Sequence, residues 1–220
     1  MYLSDIHTHS IASGHGTSCT ISDMAKAASK KGLKLLGITD HGPGTLAAGT
    51  SSYFRSLTYA PKKRFGIELL FGAELNILDT EGHLDLNDEL LSELDYAIAS
   101  MHAQNYKSGT VEENTSAYLN AMRHPCVKVL GHCDNPAFPV DYETLAFGAK
   151  EYGVIFEINE ASLMPDGYRG DTRANNKEIL RCCKKLELPI VLSSDSHGAE
   201  HVGDILSYVR LFALGLSGGS

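Results

Sequence analysis

Seven short apolar runs recur along this chain, and segments with helical spacing separate most of them. The runs cover residues 2–6, 33–39, 68–73, 96–101, 127–131, 154–158 and 189–194. Strands that alternate with helices form parallel sheets, because each helix returns the chain to the start of the next strand. The alternation therefore predicts an α/β fold, and a chain of 220 residues with 43% hydrophobic residues can bury one sizeable core.

The segments between the runs predict the remaining elements. Helices are expected over residues 23–31, 51–65, 111–123, 142–152, 175–186 and 202–214, with a short one beginning at Leu90. Ser22 is the expected N-cap of the first helix. Residues 75–86 resemble a small hairpin with its turn at 79–82. The expected organisation is one barrel domain over residues 1–214, followed by a flexible Gly/Ser tail over 215–220.

Polar side chains stand at or just beyond the ends of the apolar runs. They are His7, His9, His15, His41, Glu74, His102, His132, Asp195 and His197. In a closed (β/α) barrel the carboxyl ends of all strands meet at one rim, where the active site lies. A doubly wound open sheet is the alternative, but its site would draw on fewer strand ends. The expected fold is therefore a barrel whose rim carries all nine residues.

The first run ends in the sequence His-Thr-His. Because successive side chains of a strand point to opposite faces, His7 and His9 face the same side. Two imidazoles placed in this way form a metal-binding pair, whereas a single histidine at a strand end is more often a structural residue. Seven of the ten histidines of the chain lie at strand ends or in their loops, and independent structural roles do not account for so many.

Nine donor side chains are more than one metal ion can use. An ion with four or five ligands takes three or four of them from the protein, so nine donors suit two or three ions, with Glu74 as a bridge. Ions about 3.5–4 Å apart clamp a phosphoryl group and generate hydroxide near neutral pH. The expected chemistry is hydrolysis of a phosphate ester, in which a metal-bridging hydroxide attacks phosphorus in line.

Four further polar residues are candidates for substrate contacts. Arg169, Arg173 and Lys107 lie in loops after strand ends and would hold phosphate oxygens, unless they are solvated surface charges. Asn159 ends a strand on the same rim and would hydrogen-bond the substrate. Because all four follow strand ends, we expect them near the metal ligands.

Two acids precede strand-end histidines closely. Asp40 comes directly before His41, and Asp5 comes two residues before His7. Each would orient a metal-bound imidazole, or would cap a local turn instead. The three remaining histidines are expected away from the site: His83, His124 and His201.

The composition limits the class of partner. The net charge of −8 argues against a broad nucleic-acid surface, which needs an excess of Lys and Arg, but it does not exclude a small anionic substrate. Five scattered cysteines without a C-x-x-C pair, and the lack of a signal peptide, predict a cytoplasmic protein with reduced thiols. Since no run contains 18 apolar residues, no transmembrane helix is expected.

The strand-end motifs resemble those of a known family. Asp5-Ile6-His7-Thr8-His9-Ser10, Thr39-Asp40-His41, Met101-His102, Gly131-His132 and Ser194-Asp195-Ser196-His197, with His15 and Glu74, are similar in order to the PHP (polymerase and histidinol phosphatase) family. The YcdX-type phosphatase branch is the most similar. The resemblance implies a distorted, TIM-like (β/α)7 barrel with a trinuclear metal site at the C-terminal rim of the strands. Zinc is the leading ion, and manganese or iron are alternatives.

The resemblance also implies a role for each ligand. It assigns one ion to His7, His9, Glu74 and Asp195, a second to Glu74, His102 and His132, and a third to His15, His41 and His197. Glu74, Asp195 and His197 are the candidate catalytic residues.

The leading hypothesis is a metal-dependent phosphatase that acts on a small-molecule phosphomonoester. A histidinol-phosphate phosphatase and a non-catalytic metal-binding PHP domain are the alternatives, and a homo-oligomer is left open. Exonuclease action on DNA is disfavoured by the acidic charge.

Overall fold

The structure is a computed structural model that describes residues 3–164 and 167–205. Its strands are β1 (Ser4–Asp5), β2 (Leu35–Ile38), β3 (Lys63–Arg64), β4 (Ile67–Phe71), β5 (Ala73–Asn76), β6 (Ala97–Ser100), β7 (Val127–Leu130), β8 (Ile155–Asn159) and β9 (Ile190–Ser193). Its helices are α1 (Ile21–Lys30), α2 (Ser51–Leu57), α3 (Asp88–Glu93), α4 (Val111–Met122), α5 (Tyr142–Tyr152), α6 (Glu160–Leu163) and α7 (Arg173–Leu186). A 3₁₀ turn covers Ile11–Ser13.

The strands form two sheets that follow one another along the chain. The first has the order β1-β2-β4-β3, and the second has the order β5-β6-β7-β8-β9. All neighbours are parallel except β3, which pairs antiparallel with β4. Only Gly72 separates β4 from β5, and a side chain there would come within 2.6 Å of the Tyr96 carbonyl oxygen. The strand therefore bends at Gly72 and passes from one sheet to the other.

The two sheets meet again where the first and last strands approach each other. A single parallel bridge joins Thr8 to Ser196, and the amide of Asp195 donates to the carbonyl of His7 at 2.9 Å. On the other side, a parallel bridge joins His41 to Glu74. The strand order does not reverse as it does in a doubly wound sheet. The predicted α/β fold with a parallel sheet is confirmed, but within the described residues the strands do not close into a continuous barrel ladder.

A small apolar cluster fills the space enclosed by the strands. Tyr96, Ile98 and Val129 are buried there, against Ile6, Leu70 and Val191. The Tyr96 hydroxyl donates to the carbonyl of Ile6 across the interior. Gly37 of β2 faces this hydrogen bond, and a methyl group there would overlap the Tyr96 hydroxyl and lie 2.8 Å from Ile6 Cα. The larger core lies outside the strands, between them and the helices.

Several element boundaries differ from those predicted. Helix α1 begins two residues earlier than predicted, because Thr20 and not Ser22 is its N-cap and forms a reciprocal capping box with Asp23. Helix α2 ends at Leu57, and the chain then forms β3. The hairpin is reduced to one bridge, Ile77 to Leu84, around the expected turn. Of the predicted helix 202–214, residues 202–203 lie in a turn, and 206–214 and the tail 215–220 lie outside the described residues.

Within the described part of the chain, no helix is both long enough and apolar enough to cross a membrane.

We expect Gly37→Ala to lower the free energy of unfolding by about 2–3 kcal/mol, because the added methyl group overfills the space beside Tyr96. Tyr96→Phe removes the overlapping hydroxyl. The double variant should therefore lose less free energy of unfolding than the two single variants lose together. Chemical denaturation of the four proteins measures this coupling. Strictly additive losses would contradict the proposed contact.

Candidate metal centre

The strand ends carry their histidines and acids to one place. Adjacent imidazole rings in the group have centroids 4.1–6.1 Å apart. His7 and His9 follow β1, His41 follows β2, Glu74 lies in β5, His102 follows β6, His132 follows β7, and Asp195 and His197 follow β9. The convergence expected from a parallel sheet is therefore present.

Glu74 lies at the centre of this group and is fully buried. Its Oε2 is 2.8 Å from His41 Nδ1, 3.4 Å from His7 Nε2 and 3.5 Å from His9 Nε2. Its Oε1 is 2.7 Å from His132 Nε2 and 3.4 Å from His102 Nε2. One carboxylate thus contacts imidazoles that come from four different strand ends.

Asp195 forms the other acidic part of the group. Its Oδ1 is 3.1 Å from His9 Nε2 and 3.6 Å from His7 Nε2. Its Oδ2 accepts hydrogen bonds from Arg169 at 2.8 Å and from Asn159 at 3.2 Å. Asp195 therefore faces the histidines with one oxygen and is held in place through the other.

His197 and His15 extend the group towards solvent. The His197 ring stacks on His9 with centroids 4.1 Å apart, and its Nδ1 donates to the Asp195 carbonyl oxygen at 3.1 Å. His15 is exposed and stacks on His41 at 4.9 Å. All nine residues predicted as metal ligands are thus brought together.

Several donor atoms in the group are buried without a hydrogen-bond partner. They are His7 Nε2, His9 Nε2, His41 Nδ1, Glu74 Oε2, His132 Nδ1 and His197 Nε2. His41 Nδ1 and Glu74 Oε2 are 2.8 Å apart, but their geometry is not that of a hydrogen bond. Buried polar atoms are nearly always satisfied in proteins, so a cluster of unsatisfied ones needs an explanation. Imidazole nitrogens and carboxylate oxygens are the ligands of zinc and similar divalent ions. The residues therefore fit metal ions, which would satisfy these atoms.

Ligand atoms lie close enough together in three places. In each of three groups, the donor atoms lie within 4.8 Å of one another. The first group is His9, His41 and His197, the second is His7, His9 and Asp195, and the third is His41, Glu74 and His102. The three groups overlap because His9 and His41 each belong to two of them. Each of the three overlapping groups could therefore hold a metal ion.

Hydrogen bonds to the far ring nitrogens orient three of the histidines. His7 Nδ1 is 2.6 Å from Glu157 Oε1, and His102 Nδ1 is 2.7 Å from Asn76 Oδ1. His9 Nδ1 is 2.8 Å from Ser13 Oγ. Such bonds fix the tautomer and the ring direction, so that the other nitrogen faces the ligand cluster.

The acid beside His41 does orient an imidazole, but a different one. Asp40 accepts hydrogen bonds from Ser13 Oγ at 2.7 Å and from Ser10, and Ser13 in turn contacts His9. Asp5 has no contact with an imidazole side chain among the described hydrogen bonds. It accepts from the Ser194 hydroxyl and from the Gly203 amide, and so ties the first strand to the segment after the last one.

Glu157 is the functional residue that sequence reasoning missed. It is fully buried in β8 and accepts from His7 Nδ1, from the His132 amide at 2.7 Å and from Asn159 at 3.0 Å. A glutamate between Phe156 and Ile158 in a buried strand was the available signal, because an acid is almost never fully buried without partners.

The electrostatics favour an ionised Glu74 and neutral imidazoles at His132 and His197. Burial raises the pKa of Glu74, but the positive charges of His7 and His41 outweigh it and hold the pKa well below its usual value. Burial lowers the pKa of His132 to about 4, and the Arg169 charge adds to this. Burial likewise lowers the pKa of His197. Burial lowers the pKa of His7, but the charges of Glu157, Glu74 and Asp195 outweigh it and raise the pKa well above its usual value. His7 is therefore positively charged beside Glu74, whereas His132 and His197 favour the neutral imidazole that metal ligation requires.

Two ligand positions have an unusual backbone. His132 has φ 29° and Asp195 has φ 55°, which is the left-handed region that non-glycine residues avoid. Such conformations persist where the surrounding structure holds them, and they concentrate at functional sites. Here the backbone amide of His132 donates a hydrogen bond to the Glu157 carboxylate, and the backbone amide of Asp195 donates one to the His7 carbonyl oxygen.

An open pocket of about 620 Å³ lies over the cluster. Its walls include His15, His41, His102, Asp195 and His197, together with Arg169. This volume is in the range of small-molecule sites.

The predicted substrate contacts are placed in three different environments. Arg169 lines the pocket, although its guanidinium is buried against Asp195. Asn159 is buried beneath it and holds Glu157 and Asp195. Arg173 is exposed and paired with Asp171 at 2.7 Å, and Lys107 lines a separate surface depression. The structure therefore does not bring Arg173 or Lys107 to the pocket.

The three remaining histidines lie apart from the cluster. His83 and His201 are exposed beside Asp79 and Asp204, and His124 pairs with Asp88 at 3.3 Å.

Comparison with known proteins agrees with a metal-dependent hydrolase. The PHP domain family matches residues 5–162. A probable phosphatase of Clostridium novyi is 41% identical over 203 residues, which cover 92% of this chain and 82% of that protein. A Listeria monocytogenes protein provisionally named a histidinol phosphatase has a similar fold, with a TM-score of 0.67 at 20% identity, over 93% of this chain and 99% of that one.

A second solved structure is the histidinol phosphate phosphatase of Lactococcus lactis, complexed with zinc, L-histidinol and phosphate. It has a TM-score of 0.63 at 19% identity, over 97% of this chain and 94% of that one. The likeness to these two solved structures shows that the chain has the same fold as they have. The extent of the family match shows that the chain belongs to the PHP domain family. Its relatives and the donor cluster together support a metal-dependent phosphatase.

We expect Glu157→Gln to weaken zinc binding about 10- to 100-fold, because it removes the charge that faces His7 Nδ1 while keeping the size of the side chain. Competition with a chromophoric chelator measures the affinity. Glu151→Gln, on the exposed side of α5, is the matched control and should bind as the wild type does. Unchanged zinc affinity in Glu157→Gln would contradict an orienting role.

Proposed function

We propose that this protein hydrolyses small phosphomonoesters with a centre of three divalent ions, zinc first and manganese or iron as alternatives. His7, His9, Glu74 and Asp195 would hold one ion, Glu74, His102 and His132 the second, and His15, His41 and His197 the third. The contact of the Glu74 carboxylate with five imidazoles is the observation that carries the proposal. When bound, such ions lower the pKa of water and neutralise charge on a phosphoryl group.

The residues of the chain contribute binding and orientation. Arg169 adds a fixed positive charge to the pocket wall, where an anionic ester would bind. Its guanidinium is held by Asp195 at 2.8 Å and by the Ser162 hydroxyl at 3.1 Å, so the charge is preorganised. Arg169 therefore acts both on the phosphoryl group and on the position of Asp195.

Glu74, Asp195 and His197 remain the candidate catalytic residues. Glu74 is placed to share its two oxygens between neighbouring donor groups. His197 donates through Nδ1 to the Asp195 carbonyl oxygen, and this leaves Nε2 without a partner at the pocket wall. The hydrogen bond thus sets the direction in which His197 presents its free nitrogen.

A histidinol-phosphate phosphatase is the second candidate. The Lactococcus lactis protein of similar fold contains zinc, L-histidinol and phosphate. A non-catalytic metal-binding domain is less well supported, because the complete donor set adjoins a pocket large enough for a substrate.

Purified protein should contain at least two ions per chain after reconstitution with zinc or manganese. It should then hydrolyse members of a phosphomonoester panel and lose this activity to a chelator. Mass spectrometry of the metals and release of inorganic phosphate are the two measurements. Fewer than two ions would contradict the multinuclear centre. A full complement of metal without hydrolysis of any ester would favour the binding domain.

We expect His9→Ala and Glu74→Ala to lower turnover by about 10³-fold or more, because the first removes a ligand of one ion and the second removes the ligand shared by two ions. Both proteins should keep the helical circular dichroism spectrum of the wild type. His83→Ala is the matched control, since His83 is exposed beside Asp79 and lies apart from the cluster. Wild-type turnover in either ligand variant would refute the assignment.

A further inference from the structure

The pocket is larger than a phosphoryl group requires. Its volume is about 620 Å³, and the donor cluster and Arg169 form only part of its wall. If the phosphoryl group lies against that part, as the proposed function states, the alcohol of the ester must occupy the remainder. The side chains of the remainder therefore decide which alcohols bind well.

That remainder is largely apolar. Leu46, Ala47, Ala161 and Tyr168 belong to it. Leu46 is 90% exposed and Tyr168 is 78% exposed, which are two of the three highest values among large apolar side chains in the described chain. A single exposed apolar residue needs no explanation. Two of them in the wall of one pocket can lose their exposed surface together when a ligand enters.

Tyr168 is held in a defined position although it is exposed. Its ring covers the Arg169 guanidinium, with Arg169 Cζ 4.6 Å from the ring centroid. Arg169 is itself buried and paired with Asp195, so the cation–π contact anchors the ring at the edge of the site. One face of the ring is then used by Arg169, and much of the remaining surface is available to a ligand.

The charge of the pocket opposes a cationic alcohol. Among the described residues that line it, Asp195 is the only carboxylate. Asp195 already accepts hydrogen bonds from Arg169 and Asn159 and faces His9. Its negative charge is therefore already paired within the protein. Arg169 is engaged in the same ion pair, so the described lining residues offer an ammonium group no unpaired carboxylate. An ammonium group on the alcohol would therefore lose water without gaining an acid partner.

We propose that the site prefers monoesters of uncharged aromatic alcohols, whose ring packs on Tyr168 and Leu46. This inference rests on the proposed phosphatase function and defines its substrate class. An aromatic ring gains apolar burial and offset stacking from these two side chains, whereas a short alkyl group reaches neither.

The test compares three monoesters of primary alcohols: benzyl phosphate, ethyl phosphate and phosphoethanolamine. With metal-reconstituted enzyme, kcat/KM for benzyl phosphate should exceed that for ethyl phosphate by about tenfold or more. Phosphoethanolamine should be the poorest of the three. Tyr168→Ala should reduce the benzyl-to-ethyl ratio of kcat/KM by about five- to tenfold, and Leu46→Ala should reduce it by a smaller factor.

Two further variants separate stacking from other effects. Tyr168→Phe keeps the ring and should preserve the benzyl-to-ethyl ratio. Tyr59→Ala removes another exposed aromatic ring, which is 82% exposed and lies just after α2. This variant should leave kcat/KM unchanged for both esters. Three outcomes would overturn this inference but would still agree with a phosphatase. They are a benzyl-to-ethyl ratio of kcat/KM near one, a ratio that Tyr168→Ala does not change, and a preference for phosphoethanolamine. Hydrolysis of none of the esters by fully metallated protein would instead overturn the proposed function itself.

Discussion

The buried carboxylate of Glu74 is the constraint on which the rest of this structure depends. A charge with no solvent exposure requires close compensation, and here imidazoles of His7, His9, His41, His102 and His132 surround it. The strand that carries Glu74 bends at Gly72, where the first sheet passes into the second. The meeting of the two sheets and the assembly of the donor cluster are therefore one structural feature.

The donor cluster and the contact between the first and last strands support each other on the opposite side as well. Asp5 in the first strand binds Ser194 after the last strand, and the Asp195 amide binds the His7 carbonyl oxygen. Glu157 reaches His7 and the backbone of His132 from a third strand. Because these bonds fix ring directions and left-handed backbone at the same time, small shifts between strands would disturb several ligands together.

The pocket combines two surfaces with different chemistry. The donor cluster and Arg169 complement the anionic phosphoryl group, which every monoester shares. Leu46 and Tyr168 line the part of the pocket that we propose for the alcohol, in which esters differ. The loops after β2 and β8 supply these two residues, and loops can change without altering the sheet that holds the metal ligands. The proposed phosphoryl-binding surface and the proposed alcohol-binding surface thus differ in chemistry although their residues are near neighbours in the chain, since Tyr168 precedes Arg169 and Leu46 follows His41 by five positions.

The sequence by itself determined the alternation of strands and helices and the nine donors at strand ends, because both depend on short, local patterns. It did not find Glu157, whose contact with His7 joins residues 150 positions apart. Nor did it distinguish Arg169, buried against Asp195, from Arg173, paired with its neighbour Asp171. Only the tertiary structure decided these roles, since the energy of a charged side chain depends on the burial and partners that distant segments provide.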